Sequence, residues 1–417
     1  MSVPFLVSAP GKVIIFGEHS AVYNEPAVAA SVSALRTYLI VLPAEDPNVV
    51  ELDFPDIDFN RKWHHEEFEK VLRDKEALEE ARHNTLQLSA RVVKELETLH
   101  GDLKKTLYYC AALCFSYLYV CLCPEVKGIR FMVKSTLPIG AGLGSSASTS
   151  VVLALSMAHL SGLIKAEGEL SLDEKKLVNT WSFLGEKCIQ GTPSGIDNAV
   201  ATYGNAVSFK REMDGTTNFE FVESFPQVPM VLTYTKIPRS TKTLVSNVRE
   251  LVVRQPNVVK PILTAMGQLA IRGTEILDSL DESNYQELLE LVRVNHGLLV
   301  SLGVSHPGLE LVRFESESMG IGPTKLTGAG GGGCSLTILH KETTQEQVQL
   351  FKKKLESSYG YKTFQTDLGG IGCGIVLHKA FPLEKLHDIE ALFKQDVPNE
   401  KIDAILLPGK TNLNWIY

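Results

Sequence analysis

Hydrophobic and polar positions divide the beginning of the chain into two unlike parts. Three apolar runs, PFLVSAP, KVIIFGEH and RTYLIVLP, have the alternation and β-branched content of strands, which Pro and Gly are expected to interrupt. From 51 to 105 the chain becomes polar and rich in charge, with helical periodicity over 64–80 and 83–98. We interpret this second part as an exposed insertion that lies over a core.

An uncharged run, LYYCAALCFSYLYVCLC, extends from 107 to 123. Its 17 residues lie at the lower limit for a membrane-spanning helix, and Ser, Tyr and Cys dilute its hydrophobicity. The run therefore predicts a helix buried in a protein core. The following pattern predicts a strand over 128–137, a Gly/Ser loop over 140–148 and then an apolar helix.

The second half of the chain restarts with a strand, PMVLTYTKI, after residues 222–228. Helical periodicity dominates from 243 to 302, and a second Gly-rich loop precedes the strand CSLTILH. Strands followed by grouped helices, without regular βαβ alternation, indicate an α+β fold. We place the domain boundary at the restart, which predicts an N-terminal domain over 1–225 and a C-terminal domain over 226–417.

Charge and cysteine content exclude several classes of function. The net charge is −8 and no block of Lys or Arg indicates a nucleic-acid face or an anionic membrane patch. The N-terminus lacks a basic segment followed by an apolar one, so a secretory signal is not expected. Of the seven cysteines, four fall in the apolar run; Cys110 and Cys114 are one helical turn apart and could share a metal, but no matching Cys/His pair at zinc spacing follows. We expect reduced thiols in a cytoplasmic protein.

The sharpest local signal is the loop PIGAGLGSSAS at 138–148, between a predicted strand and a predicted helix. Glycines allow a sharp turn that brings backbone N–H groups close to phosphate oxygens, and the N-terminus of a helix favours the same anion. The loop lacks the Lys-Ser/Thr pair of a Walker A motif and the spacing of a dinucleotide fingerprint. On its own it would fit a phosphate loop and a flexible turn with capping serines about equally well.

Candidate chemical groups occur in three further places. A phosphoryl-transfer enzyme needs one carboxylate for Mg²⁺ and another for the attacking hydroxyl, and Glu186 and Asp197 could serve. Asp197 is equally natural as the N-cap of the helix that follows. Lys12, in APGK, is either an exposed lysine or a cation that offsets phosphoryl charge. His19 alone is more typical of a structural histidine, and KLTGAGGGGC at 325–334 alone indicates only a tight loop.

Taken together, these stretches resemble the GHMP small-molecule kinase superfamily. APGKVIIFGEHSAVY is similar to its first motif, LPIGAGLGSSAS to its ATP-binding second motif, and KLTGAGGGGCSL to its third. Within the superfamily, the GEH of the first motif and the stretch GEKCIQGTPSGIDNAVATYG most resemble the mevalonate kinase family. The likeness covers most of the chain and is weakest at 51–105 and at the C-terminal tail.

The resemblance implies a two-domain α+β fold with the active site in the cleft between the domains. It implies ATP-dependent phosphorylation of mevalonate to 5-phosphomevalonate, in the supply of isoprenoid and sterol precursors, with Mg²⁺ as cofactor. It further implies a cytoplasmic homodimer that is inhibited by isoprenoid diphosphates competing with ATP, with no nucleic-acid or membrane partner.

Site residues follow from the resemblance position by position. The catalytic residues would be Asp197 and Lys12, and the Mg²⁺ ligands Ser146 and Glu186. The ATP-binding positions would be Lys12, Ser135, Gly140, Ala141, Gly142, Leu143, Gly144, Ser145 and Ser146. The positions lining the mevalonate pocket would be Lys12, Glu18, His19, Asp197, Thr241, Gly328 and Ala329. Asp56 stands where the family has an Asn near the adenine. Because of this departure, Asp56 is not included among the predicted ATP-binding positions.

Two other functions remain compatible with the motifs. One is a different kinase of the superfamily, such as a phosphomevalonate kinase or a sugar kinase, but a second phosphate would require extra Lys or Arg near the first motif. The other is an inactive sensor built on the same fold. Lys12, Ser146, Glu186 and Asp197 argue against a sensor, since a pure binding protein has no need of a Mg²⁺ site.

Overall fold

The computed structural model describes residues 3–106, 108–212, 216–222 and 225–417. Position 107, at the start of the predicted buried helix, lies outside the described residues, as do two positions of the predicted boundary at 222–228. The described helices are α1 (Glu69–Arg73), α2 (Lys75–His83), α3 (Ala90–Leu99), α4 (Tyr108–Leu122), α5 (Ser145–Leu160), α6 (Leu172–Gln190), α7 (Ile196–Tyr203), α8 (Thr241–Arg254), α9 (Pro256–Asp278), α10 (Tyr285–Ser301), α11 (Pro307–Ser318), α12 (Gln345–Tyr359), α13 (Leu386–Leu392) and α14 (Asn399–Leu406).

Within the described ranges, twelve strands form one connected sheet. They are β1 (Phe5–Phe16), β2 (Ala27–Pro43), β3 (Val49–Phe54), β4 (Phe59–His64), β5 (Ile129–Ser135), β6 (Ala206–Arg211), β7 (Thr217–Val222), β8 (Val228–Tyr234), β9 (Thr324–Leu326), β10 (Cys334–Ile338), β11 (Lys362–Leu368) and β12 (Gly374–Val376). The main path runs β4-β3-β5-β2-β11-β8-β10-β9, with β1 and β12 and the hairpin β6-β7 attached through β2. The predicted mixture of helix and sheet is confirmed.

The three apolar runs near the N-terminus form two long strands. The prediction that Pro and Gly interrupt the first strand is wrong, because β1 continues through Pro10 and Gly11. The pairing of β1 with β2 instead shifts register between these two residues. A bulge of this kind accommodates a proline, which has no N–H for the ladder, and it bends the strand without ending it.

The interpretation of 51–105 as an exposed insertion is wrong for its first part. Here β3 and β4 form a hairpin, and β3 joins the main sheet as a parallel neighbour of β5. Trp63 and Phe68 are fully buried in the core that also contains α4. The three helices that follow are shorter than predicted. Charged residues on the hairpin obscured its strand pattern, since ELDF and FNRKWH carry four charged side chains.

The predicted buried helix is confirmed as α4, whose residues from Ala112 onward are buried. It packs against α5 and α6 beneath the sheet, and Gly185 in α6 lies where an added methyl group would be only 3.1 Å from the sulfur of Cys114. In the part of the chain that the structure describes, no helix is long and apolar enough to cross a membrane. The close packing of α6 fixes the side chain of Glu186 relative to α5.

The C-terminal part of the chain returns to the N-terminal strands. β12 pairs with β1, and α13 and α14 cover a cluster that includes Leu6, Tyr38 and Met132. The central helices α8, α9 and α10 lie against the other half of the sheet, with Phe16 packed against α9 at Gly273. The division into 1–225 and 226–417 stays a prediction.

Two glycines in neighbouring helices predict opposite effects of the same substitution. A methyl group at Gly273 would lie 2.3 Å from the fully buried ring of Phe16, whereas one at Gly297 meets nothing within 4 Å. Gly297→Ala should raise the free energy of unfolding by about 0.5–1 kcal/mol, the usual gain in a helix interior. Gly273→Ala should lower it, because overpacking costs about 1–3 kcal/mol and exceeds that gain.

Urea denaturation followed by circular dichroism measures both changes, with each glycine variant serving as the control for the other. Equal midpoints for the two variants would contradict the packing of Phe16 against α9.

Candidate active site

A cavity of about 780 Å³ lies where the three glycine-containing motifs meet. Its walls contain side chains or backbone from the first motif, the 138–148 loop, the first turn of α7 and the third motif. The predicted site residues that line it are Lys12, Glu18, His19, Gly140, Gly142, Leu143, Gly144, Ser145, Ser146, Asp197, Thr241, Gly328 and Ala329. The structure therefore brings together most of the residues that the motifs indicated.

The loop after β5 has the geometry of an anion cradle. Gly140, Gly142 and Gly144 all have positive φ angles, of 74°, 82° and 75°. Helix α5 begins directly afterwards at Ser145, so its free N–H groups and its positive end face the cavity. The N–H of Lys12 donates to the carbonyl of Leu143 at 2.8 Å and holds the loop against β1. This arrangement suits the phosphates of a nucleotide.

Lys12 and Asp197 form an ion pair in the cavity wall. The distance from Lys12 Nζ to Asp197 Oδ1 is 3.1 Å, and the lysine side chain is only 9% exposed. The alternative of an exposed lysine is therefore wrong. Gly195 occupies the N-cap position of α7, so the alternative of Asp197 as the N-cap is wrong as well. A side chain at Gly144 would contact Lys12 at 3.1 Å, which shows how closely the phosphate loop approaches the pair.

Glu186 is buried behind Ser146. Ser146 Oγ donates to Glu186 Oε1 at 2.7 Å, and Gln190 Nε2 donates to the same oxygen at 2.6 Å. Burial raises the pKa of Glu186 to about 7, although the Ser146 hydrogen bond opposes the shift. Its other oxygen, Oε2, has no hydrogen-bond partner among the described residues. A buried carboxylate oxygen without a partner next to a hydroxyl is a donor set that suits Mg²⁺.

The opposite end of the cavity is formed by the first and third motifs. His19 is 1% exposed, and its Nε2 lies 2.9 Å from the carbonyl oxygen of Ala329, so this nitrogen is the one that carries the proton. Burial lowers the pKa of His19, which keeps the imidazole neutral near pH 7. Thr241, the first residue of α8, also lines the cavity. His19 therefore has a structural bond and also faces the cavity.

Two predicted ATP positions fall outside the cavity lining, as far as the described residues extend. Ala141 is buried, and its carbonyl accepts a hydrogen bond from Arg239. The Ser135 N–H donates to Asp56 Oδ2 at 2.7 Å, and the other oxygen of Asp56 accepts from Lys134 at 2.5 Å. The carboxylate of Asp56 is thus engaged in holding the end of β5.

Sequence reasoning missed Arg239 and Gln190, which also line the cavity. The guanidinium of Arg239 donates to the carbonyls of Ala141 at 3.0 Å and Thr327 at 3.3 Å, so it joins the second and third motifs. In the sequence IPRST it is one charged residue in a polar loop, which is indistinguishable from a surface arginine. Gln190 follows Glu186 by one helical turn, a spacing that could have indicated it.

The apolar wall of the cavity is a second feature that the sequence motifs do not predict. Leu52, Phe54 and Ile57 from the β3-β4 hairpin face Val133 and Cys110 there. Such a surface suits a flat heteroaromatic ring beside the phosphate cradle. The hairpin that was interpreted as an insertion therefore supplies one side of the candidate nucleotide site.

Comparisons with known proteins agree with this geometry. The model of the GHMP kinases N terminal domain matches residues 106–205, and that of the GHMP kinases C terminal matches residues 276–355. The mevalonate kinase of Saccharomyces cerevisiae is 55% identical, with all of both chains covered. The human mevalonate kinase is 34% identical over 92% of this chain and 97% of its own.

Solved structures show the same fold at lower identity. The crystal structure of the Methanococcus jannaschii mevalonate kinase is 23% identical, with a TM-score of 0.63 over 87% of this chain and 98% of its own. The L. major mevalonate kinase in complex with R-mevalonate is 23% identical, with a TM-score of 0.60 over 87% of this chain and 94% of its own. Together with the full-length identity to the yeast relative, these findings show that the chain belongs to the mevalonate kinase family of the GHMP kinases.

Proposed function

We propose that this chain is an ATP-dependent kinase that phosphorylates mevalonate to 5-phosphomevalonate, in the supply of isoprenoid and sterol precursors. The observation that carries the proposal is the Lys12–Asp197 ion pair at 3.1 Å in the cavity wall. The same cavity is lined by the phosphate cradle and by residues of the first and third motifs. The yeast and human relatives named as mevalonate kinases are 55% and 34% identical to the chain, over 100% and 92% of its length.

The roles of the residues follow from phosphoryl-transfer chemistry. The alcohol attacks the terminal phosphoryl group in line, and Asp197 orients the hydroxyl and accepts its proton. Lys12 contacts Asp197 and offsets the charge that spreads over the transferring oxygens. The N–H groups after Gly140 and the start of α5 bind the remaining phosphates. Catalysis then consists mainly of positioning and charge stabilisation.

A magnesium ion would be held by Ser146 and Glu186. The unpartnered Oε2 of Glu186 supports this assignment, as does the hydroxyl of Ser146 beside the phosphate cradle. The ion would neutralise phosphate charge when bound. Gln190 donates to both ligands, at 3.0 Å to Ser146 and 2.6 Å to Glu186, and keeps them side by side.

Three further points are proposed from the family resemblance. The chain is divided into domains at 1–225 and 226–417, it acts as a cytoplasmic homodimer, and isoprenoid diphosphates inhibit it in competition with ATP. The apolar wall formed by Leu52, Phe54 and Ile57 supports the last point, since an isoprenoid chain would find apolar contacts beside the phosphate cradle.

A coupled assay of ADP release tests the function directly. With ATP and Mg²⁺, the chain should turn over mevalonate and leave phosphomevalonate and galactose unreacted. Turnover of either alternative alcohol in preference to mevalonate would assign the chain to another branch of the superfamily. Binding of mevalonate without turnover would support the sensor function.

Replacing either member of the ion pair should abolish most activity while the fold is retained. Asp197→Asn should reduce kcat by several orders of magnitude with ATP binding nearly intact, because the carboxylate acts in the transition state. Lys12→Met should cost about 3–5 kcal/mol of barrier, on the order of a thousandfold in rate. Steady-state kinetics measure both losses, and circular dichroism checks the fold.

Two exposed residues provide matched controls for this pair. Asp173, whose side chain is 94% exposed, and Lys260 on the surface of α9 should tolerate Asp173→Asn and Lys260→Met without loss of rate. A folded Lys12→Met enzyme with the parent's kcat would remove Lys12 from the mechanism and favour a binding protein.

The raised pKa of Glu186 predicts a pH dependence of metal binding. Because this pKa is about 7 and the metal requires the carboxylate, protons compete with Mg²⁺ below pH 7. The affinity for Mg²⁺ in the presence of a non-hydrolysable ATP analogue should therefore fall by up to about tenfold per pH unit from 7 towards 5, with up to one proton released on binding. Calorimetry in buffers of different ionisation enthalpy measures both quantities.

Glu186→Gln is the control for titration of the nucleotide's own phosphates. It should bind Mg²⁺ more weakly at pH 8 and lose the additional pH dependence. If the parent and Glu186→Gln share one pH profile and one affinity, Glu186 is structural and the metal ligand lies elsewhere.

A further inference from the structure

A fully buried ion pair lies behind the alcohol end of the cavity. Lys325, at the start of the third motif, contacts Glu18, at the end of the first, and both side chains are 0% exposed. Asn295 in α10 donates to the second oxygen of Glu18 at 3.0 Å. The pair thus joins three segments that are distant in the sequence.

The hydrogen bonding of the Lys325 ammonium group is complete. Lys325 Nζ has three N–H groups, and its partners are Glu18 Oε1, the carbonyl of Leu326 at 2.7 Å and the carbonyl of Ile14 at 3.3 Å. Both oxygens of Glu18 are used, one by Lys325 and the other by Asn295. Glu18 borders the cavity, but its side chain is 0% exposed, so its carboxylate is out of reach of a substrate hydroxyl.

Stability alone does not explain a pair in this position. Moving two charges out of water is costly. A protein in which apolar residues of similar volume replace a buried ion pair is often at least as stable. Burial lowers the pKa of Lys325, while Glu18 opposes the shift, so the lysine depends on its partner. The pair fixes the relative position of the segments that carry it, since buried hydrogen bonds to charged groups have narrow ranges of distance and angle.

The residues held by the pair form the alcohol end of the cavity. His19 follows Glu18 directly and binds the Ala329 carbonyl at 2.9 Å. On the other side of the pair, Thr327 Oγ1 donates to the carbonyl of Ile14 at 2.9 Å and accepts from its N–H at 3.1 Å. His19 and Ala329 both line the cavity. The Lys325–Glu18 pair and the Thr327 hydrogen bonds therefore fix the distance between the first and third motifs at this end of the cavity.

We infer that Lys325 is a positioning residue for the alcohol substrate and acts through Glu18, whose carboxylate is a structural link between the two motifs and not a substrate ligand. The inference rests on the proposed function, because the substrate used to test it is mevalonate. It assigns a role to Lys325 and revises the predicted role of Glu18 as a residue of the mevalonate pocket.

The test uses the full chain and a neutral version of the pair. Lys325→Met alone leaves a buried, unpaired carboxylate and is expected to lower the melting temperature strongly. Glu18→Gln/Lys325→Met removes both charges and should fold. It should bind mevalonate about tenfold to a hundredfold more weakly, since small displacements of positioning groups have effects of this size. The Kd for ATP should stay within about twofold, because the phosphate cradle is formed by other residues.

Two comparisons separate positioning from direct contact. Glu18→Gln alone should weaken mevalonate binding about as much as the double variant, since Lys325 acts through Glu18. In the substrate-free double variant, the ¹⁵N signals of the His19 ring should lose the single-tautomer pattern imposed by the bond to Ala329. An unchanged His19 signal with weakened mevalonate binding would mean that Glu18 contacts the substrate itself and would overturn the inference.

The ion pair of Glu315 with Lys354, at 2.6 Å between α11 and α12, gives a control outside the cavity lining, with a buried carboxylate and a half-exposed lysine. Glu315→Gln/Lys354→Met should leave both dissociation constants unchanged. Parental mevalonate affinity in Glu18→Gln/Lys325→Met would also overturn the inference. Failure of the parent to turn over mevalonate would instead refute the proposed function, so the two failures are distinguishable.

Discussion

The burial of β2 is the constraint on which the rest of the structure depends. This strand extends over Ala27–Pro43 and is buried along almost its whole length, so its backbone groups must find partners within the sheet. It pairs with β1, β5, β6 and β11. Two of these strands lead directly into the cavity, because β1 carries Lys12 and ends before Glu18, while β5 ends before the phosphate loop. A change that displaced β2 would therefore move both the nucleotide end and the alcohol end of the site.

Close approach of backbone segments accounts for the glycines of the motifs. At Gly11, a methyl group would lie 2.8 Å from the carbonyl of Leu143, and at Gly330 it would lie 2.0 Å from the carbonyl of Val304. Neither position has room for a side chain, so the first motif can touch the second, and the third can touch the end of α10.

The overall charge of −8 would repel a polyphosphate, and local N–H groups together with Lys12 and Arg239 offset that repulsion at the cavity.

Three ion pairs, each with a buried lysine, hold the functional loops. Lys12 with Asp197 stands in the cavity wall, Lys134 with Asp56 holds the end of β5, and Lys325 with Glu18 joins the first and third motifs. Each pair links two segments that are far apart in the chain. Each pair also lies next to a loop that borders the cavity. Apolar contacts between the same segments would tolerate sliding, whereas an ion pair is favourable only over a narrow range of distances and angles. The pairs therefore serve the precision of the site more than the stability of the fold.

The sequence by itself determined the α+β class and the buried helix α4, because these depend on local periodicity, and its short motifs singled out the 138–148 loop, Lys12, Ser146, Glu186 and Asp197 as candidates for a site. It could not determine the β3-β4 hairpin, whose charged residues resemble a surface helix until their partners on β5 are known. Nor could it distinguish Arg239 and Lys325 from exposed cations, since burial and ion pairing are properties of segments that meet only in the folded chain. Charge is visible in a sequence, but the partner that makes a buried charge tolerable is decided by tertiary structure.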